Sequence, residues 1–251
     1  MVSSPTQPFL AHLNELRRRL LMALIFLVVV SSLCLNYARE IYDILLGPLK
    51  KVLPPGSYFI TTHPIEAWFT YLKVALLAGF FLSLPFTVYQ FWCFAKPGLK
   101  SGEKKSTGLI VMALSGFFSL GAGFGYFVAF PLGFSYFASV LQDTDIHFLP
   151  QMADNLTFVA QMLMAFGVIF ELPVIVFFLG LSGLVTTQQL MSFQKYLIVL
   201  ALTIAAILTP PDVVSQLIMA VPMILLYQLG VFGVWIHQVS TRNPGTRTNS
   251  L

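Results

Sequence analysis

The stretch Asn14-Glu15-Leu16-Arg17-Arg18-Arg19-Leu20-Leu21-Met22-Ala23 sets three arginines directly before an apolar run that continues to Tyr37. Two kinds of segment begin this way. One is a cleavable export signal, with a basic head and a short apolar body; the other is the first span of a membrane protein. The run carries no A-x-A site, Leu33 spoils a small-residue position before Cys34, and more apolar segments follow. It therefore reads as a retained span, whose arginines hold the amino terminus on one side of a bilayer.

Outward from this stretch the same character persists. The 251 residues are 57% hydrophobic and 10% charged, with a mean hydropathy of +0.82, which excludes a water-soluble globule. Apolar stretches of spanning length fall near Leu20 to Tyr37, Ala67 to Trp92, Gly108 to Phe137, Phe158 to Gly180, Tyr196 to Leu208 and Val213 to Ile236. The expected fold is an all-α integral membrane protein with six transmembrane helices. It divides into an amino-terminal tip over residues 1–19, one membrane domain over 20–236 and a short polar tail over 237–251.

Charge sets the expected orientation. Arg17, Arg18, Arg19, Lys96, Lys100, Lys104, Lys105, Lys195, Arg242 and Arg247 share a side with both termini, while the other side carries only Arg39, Lys50 and Lys51. The positive-inside rule then makes both termini cytoplasmic. The net charge of +4 comes from basic residues scattered at segment ends rather than gathered on one face, so no nucleic acid is expected as a partner. Cys34 and Cys93 lie at opposite ends of neighbouring spans, about 30 Å apart, far beyond the roughly 7 Å that a disulfide tolerates.

The fifth segment has 13 uninterrupted apolar-to-neutral residues, which reach only about 20 Å as helix. It turns back through Leu208-Thr209-Pro210-Pro211-Asp212, where proline ends one helix and aspartate can cap the next. Short fifth and sixth helices are expected, with Pro222 kinking the latter and partner helices sharing the mismatch. In the third segment Gly121 and Gly125 form a G-x-x-x-G pair, with Ser119 and Gly123 as a second small pair, and packing within the chain is the favoured role. An amphipathic piece over Ile41 to Leu49 is expected on the outer face, capping it together with the second outer loop.

Four groups of residues are candidates for chemistry. Glu171 lies near the middle of the fourth span, where an ionised carboxylate costs roughly 2.5 kcal/mol or more, so it is neutral, in a wet cavity or paired. Pro173 removes a backbone donor and bends this stretch. Gly180-Leu181-Ser182-Gly183 spells the G-x-S-G of an intramembrane serine protease, and His237 lies on the same side. The serine reads better as part of a helix-ending turn, and a protease needs the histidine within about 3 Å. His12, His63, His147 and His237 fall in four separate regions, with no H-E-x-x-H or Walker A motif, so neither metal nor cofactor is expected. Finally, Glu15 stands beside Arg17 to Arg19, and Glu103 among Lys96, Lys100, Lys104 and Lys105. Each is either neutralised on a solvated face, or part of a pair of carboxylates that receives a cationic ligand.

These stretches carry a family resemblance. His12-Leu13-Asn14-Glu15-Leu16-Arg17-Arg18-Arg19-Leu20, Phe94-Ala95-Lys96-Pro97-Gly98-Leu99 with Glu103, Phe166-Gly167 leading to Phe170-Glu171-Leu172-Pro173, and Leu208-Thr209-Pro210-Pro211-Asp212 together resemble TatC, the multi-spanning subunit of the twin-arginine protein translocase. The likeness runs from about Pro8 to Trp235. It implies a non-enzymatic receptor shaped as a curved, glove-like wall in the bacterial inner membrane, binding twin-arginine signal peptides of folded cargo and driven by the proton gradient. It further implies that Glu15 and Glu103 contact the signal's arginines, with Phe94, Pro97 and Leu99 shaping the site and Arg17 organising the tip. By the same resemblance, Glu171 faces the concave side, Thr209 and Gln216 contact the single-span subunits TatA and TatB, Pro48 and Asp212 belong to the periplasmic cap, and the chain assembles with further copies of itself. One departure from the family is the single Lys195 in the loop before the fifth helix. The competing reading is a proton-coupled small-solute transporter, suggested by Glu171 and the proline-interrupted spans, although no internal repeat supports it.

Overall fold

The computed structural model describes residues 6–52, 59–61, 63–95, 107–141, 150–208 and 213–242. The positions Pro97, Leu99, Glu103, Thr209 and Asp212 lie outside the described residues. The chain forms helices α1 (Thr6–Leu35), α2 (Ala38–Leu45), α3 (Gly47–Val52), α4 (Pro64–Ala95), α5 (Thr107–Phe124), α6 (Phe130–Leu141), α7 (Met152–Phe170), α8 (Leu172–Leu181), α9 (Thr187–Leu208) and α10 (Val213–Arg242). A π-helical turn, Gly125–Ala129, joins α5 to α6. Among the described residues six stretches are long and apolar enough to cross a membrane: His12–Leu35, Pro64–Phe94, Gly108–Tyr136, Met152–Leu181, Thr187–Leu208 and Val213–Val239. Their outward faces are apolar, as with Leu24, Ile25, Val28, Val29 and Leu33 of α1. Such faces suit lipid rather than water, and the chain is a multi-pass membrane protein.

Two of the expected lengths are corrected. The fifth spanning helix, α9, has 22 residues, and the sixth, α10, has 30; neither is short, since 22 residues reach about 33 Å. Apolarity alone begins α9 at Tyr196, but Gln188, Gln189, Gln194 and Lys195 are good helix formers and extend it back to Thr187. Lys195 thus belongs to a helix rather than a loop, with its ammonium 5.0 Å from the centre of the Tyr196 ring. Similarly, α1 is continuous through Leu20 and α10 through His237. The boundaries at 19/20 and 236/237 mark changes of composition within helices. Both α4 and α10 run on past their interior prolines, Pro85 and Pro222.

The contacts divide the chain into two compact units. In the first, Met1–Ser119 with Ile146–Ala160, α1 packs along α4. Gly79 of α4 lies so close to Ser31 that an added Cβ would collide with the serine side chain, and Phe26 meets Phe86 with ring centres 4.4 Å apart. The amphipathic piece is helical: Tyr42, Leu46 and Leu49 are buried while Asp43 and Ile44 are exposed. Tyr42 packs edge-on against Phe59 and Tyr71, and burial, with lesser contributions from Tyr71, Asp43 and Glu66, pushes its phenol pKa upward.

The first and third inter-span connections meet in this unit. Ile60 and Gln151 form a parallel bridge, in which the Ile60 amide donates to the Pro150 carbonyl and the Met152 amide to the Ile60 carbonyl, both at 3.0 Å. Glu66, at the start of α4, fastens the junction. Its Oε1 accepts from Gln151 Nε2 (3.1 Å) and the Ala153 amide (3.4 Å), and its Oε2 from Thr61 Oγ1 (3.3 Å) and the His63 amide (3.4 Å). Glu66→Ala leaves several donors unmatched, at about 1–3 kcal/mol for the first of them. A lower thermal midpoint in detergent is expected for it than for Glu66→Gln, which keeps an acceptor; equal midpoints for both variants and wild type would remove Glu66 from this role.

In the second unit, Leu120–Asp145 with Gln161–Leu251, α10 packs against α8 and α9 around Val176, Leu190, Leu197, Tyr227, Val231 and Val234. Small residues make the approach close, as expected where no hydrophobic effect drives helices together in lipid. Gly180 faces Val234, Gly230 faces Pro173 and Val176, and Gly233 faces Phe177. Polar clasps add to the packing: Tyr227 donates to the Leu190 carbonyl (2.8 Å), Thr187 Oγ1 to Gln238 Oε1 (2.7 Å) and Gln216 Nε2 to the Leu202 carbonyl (2.9 Å). Gly121 and Gly125 both lie against Phe166 while Gly123 faces open space, so the G-x-x-x-G pair packs within the chain as expected.

Candidate functional site

The candidate site is built on the early turns of α1 and the far end of α4. Helical spacing puts Leu16, Arg19, Leu20 and Ala23 on one face of α1, where they line a narrow groove with Gln90, Phe91 and Phe94 of α4. Phe94 is fixed from the other helix, because the His12 ring stacks on it with centres 4.3 Å apart and planes 19° from parallel. Around the side of α1 lies a larger open groove of about 520 Å³, lined by Asn14, Glu15, Arg18, Arg19 and Met22. Arg17 is exposed and lines neither groove.

Glu15 is already engaged. Arg19, one turn along, donates to its Oε1 from Nε at 2.9 Å and from Nη2 at 2.6 Å. The side chains retain 25% (Arg19) and 37% (Glu15) of their exposure, so the pair sits at the lip of the groove rather than inside the protein. Both donors fall on one oxygen, and a carboxylate has about four acceptor sites. A ligand cation that takes the Glu15 charge in full nevertheless does so by displacing Arg19 from Oε1.

Of the residues anticipated from sequence, the structure brings Glu15 and Phe94 to the same end of the α1–α4 pair, and it adds His12, Asn14, Met22, Arg19 and Gln90. The i, i+4 spacing of Glu15 and Arg19 was the available signal for the ion pair; the basic run concealed it, because three adjacent arginines read as one charge cluster. Pro48 is half-buried in α3. Gln216 is turned to α9 through Leu202. Glu171 lies in the second unit, at the break between α7 and α8. Its amide donates to the Val168 carbonyl (3.1 Å) and its carbonyl accepts from the Ile175 amide (2.9 Å), so the helix is interrupted one turn before the register is regained, as Pro173 requires. Ser182 Oγ donates to the Leu179 carbonyl at 2.9 Å, and Gly183 follows with φ of +74°. That is a helix-ending turn rather than a nucleophile's setting. Among the described residues no group of three or more His, Cys, Asp or Glu side chains could hold a metal ion.

The family model described as Sec-independent protein translocase protein (TatC) matches residues 11–222. The chain belongs to the TatC family. Among relatives with that same description, the one from Desulforapulum autotrophicum is 42% identical over 226 residues, covering 90% of this chain and 83% of its own. The one from Escherichia coli K12 is 37% identical over 227 residues, covering 90% and 88%. The crystal structure of a twin-arginine translocase receptor, TatC, superposes with a TM-score of 0.78 at 34% identity, over 90% of this chain and 99% of that one. A second crystal structure of such a receptor, in DDM, gives 0.79 at 36% identity, over 88% and 98%. TatC membership makes this a non-enzymatic component of a protein translocase. It removes the protease reading and favours protein transport over small-solute transport.

Proposed function

We propose that this chain is the signal-peptide receptor and core subunit of a twin-arginine translocase, exporting folded proteins across the bacterial inner membrane at the expense of the proton gradient. The observation that carries the reading is the Glu15 carboxylate at the lip of the α1 groove, at the same helix end as the His12–Phe94 stack. A guanidinium matches a carboxylate through two parallel donors, which an ammonium cannot copy. Glu103 supplies the second carboxylate, with Pro97 and Leu99 shaping the approach and Arg17 on the exposed flank. Both termini lie in the cytoplasm, in keeping with the distribution of arginine and lysine. The partners are the arginine-pair signals of folded cargo, the single-span subunits TatA and TatB meeting Thr209 and Gln216, further copies of this chain, and lipid. Pro48 and Asp212 belong to the periplasmic face, and Glu171 is a polar functional position within the membrane.

The test is capture of a twin-arginine precursor by crosslinking in membranes, comparing wild type with Glu103→Ala. Capture by the variant is expected to fall to the level of a precursor lacking its arginines. Equal capture by both proteins would contradict the reading.

A further inference from the structure

We infer that Arg19 is an internal competitor for the cation that Glu15 receives, so that it sets the strength of the receptor rather than its choice between arginine and lysine. This rests on the reading of Glu15 as a receptor carboxylate. Arg19 offers Glu15 the same chemistry as a ligand arginine: Nε and Nη2 both donate to Oε1, at 2.9 and 2.6 Å. It does so from one helical turn away, at an effective concentration no free peptide matches. The contact lines the open groove of about 520 Å³ together with Asn14, Arg18 and Met22. An incoming cation thus meets a carboxylate already partly neutralised, with two like charges beside it.

Arg19 also has somewhere to go. It lines the second groove together with Gln90, and the Cys93 thiol of α4 neighbours its guanidinium. Arg19 keeps a quarter of its side-chain exposure, so release from Glu15 returns its guanidinium to water rather than stranding a charge. An exposed i, i+4 pair shifts populations by only about two- to five-fold, and loss of one neighbouring like charge adds a similar modest factor. A competitor of this strength lowers apparent affinity by the fraction of time Glu15 is occupied, and that fraction is the same for every ligand. The ratio of arginine to lysine affinity is consequently independent of Arg19.

The experiment measures binding of two fluorescent synthetic signal peptides, one with Arg-Arg and one with Lys-Lys, to the full chain in detergent micelles. The proteins are wild type, Arg19→Gln, Arg19→Lys, Glu15→Gln and the double variant Glu15→Gln/Arg19→Gln. Arg19→Gln is expected to tighten both peptides by about three- to ten-fold with an unchanged ratio, and Arg19→Lys by less. In the Glu15→Gln background the same change is expected to have less than about a two-fold effect. Weakened or unchanged binding by Arg19→Gln overturns the inference, because it makes Arg19 a ligand contact or a bystander. Equal tightening with and without Glu15 also overturns it, leaving simple charge repulsion. Binding by Glu15→Gln as tight as wild type overturns the receptor reading itself.

Discussion

Glu15→Gln is expected to weaken binding of an Arg-Arg signal peptide by roughly 10- to 100-fold, which is what loss of a charge-assisted hydrogen-bonded contact of about 1.5–3 kcal/mol produces. The substitution keeps the shape of the side chain and one carbonyl acceptor, so the groove formed with Asn14, Arg18, Arg19 and Met22 is retained. Among the described residues it breaks the pair with Arg19, which is partly exposed and contributes about 0.2–1 kcal/mol. Folding is therefore nearly unaffected while binding is not, and the two are separated by measuring the thermal midpoint beside peptide affinity. Because the site is at the surface, the smaller end of the range is expected at physiological ionic strength, and the gap between wild type and variant narrows further in high salt. An affinity unchanged in low salt would remove Glu15 from the site.

Gly121→Ala is expected to lower the thermal midpoint in detergent, whereas Gly123→Ala, two residues along the same helix, leaves it equal or raises it. A methyl group at residue 121 collides with the carbonyl oxygen of Phe166 and lies 2.7 Å from Phe170 Cβ, while at residue 123 it meets nothing within 4 Å. Alanine in place of glycine favours a helix by about 1 kcal/mol. Overpacking of this kind costs about 1–3 kcal/mol, and a backbone carbonyl in α7 cannot rotate away as a side chain does. The clash wins at 121 and helix propensity wins at 123. Two variants with the same midpoint would show that the α5–α7 approach is looser than the contact implies.

Much of this architecture was legible in the residues. Six spans follow from apolar length alone, and the break at Glu171 follows from Pro173, since proline acts on its own backbone neighbourhood whatever the tertiary context. Three features were not legible in this way. The start of α9 at Thr187 was hidden because hydropathy measures where lipid is tolerated, not where hydrogen bonding stops, and glutamine and lysine extend a helix well. The Ile60–Gln151 bridge and the Glu66 junction join segments distant in the chain, Glu66 and Gln151 being 85 residues apart, which no local pattern encodes. The π-helical turn at Gly125–Ala129 adds one residue to a helical turn beside Phe166, a packing adjustment invisible to periodicity. At the candidate site, Glu15 was marked by its charge surroundings and by resemblance, and Phe94 by resemblance alone. The chemistry between them was not, because the stacking of His12 on Phe94 depends on how α1 and α4 are registered.

The central claim, that the signal's arginine pair is read at this end of α1 and α4, is tested most directly by mapping where that pair lands. A precursor carrying a photoreactive residue next to its arginines is irradiated with the membrane-embedded receptor, and the crosslinked segment is identified by digestion and mass spectrometry. The expected adducts fall on α1 between His12 and Arg19, on Phe94, and on the segment that holds Glu103. Adducts concentrated instead around Glu171 or the α9–α10 hairpin, with none on α1, would contradict the account.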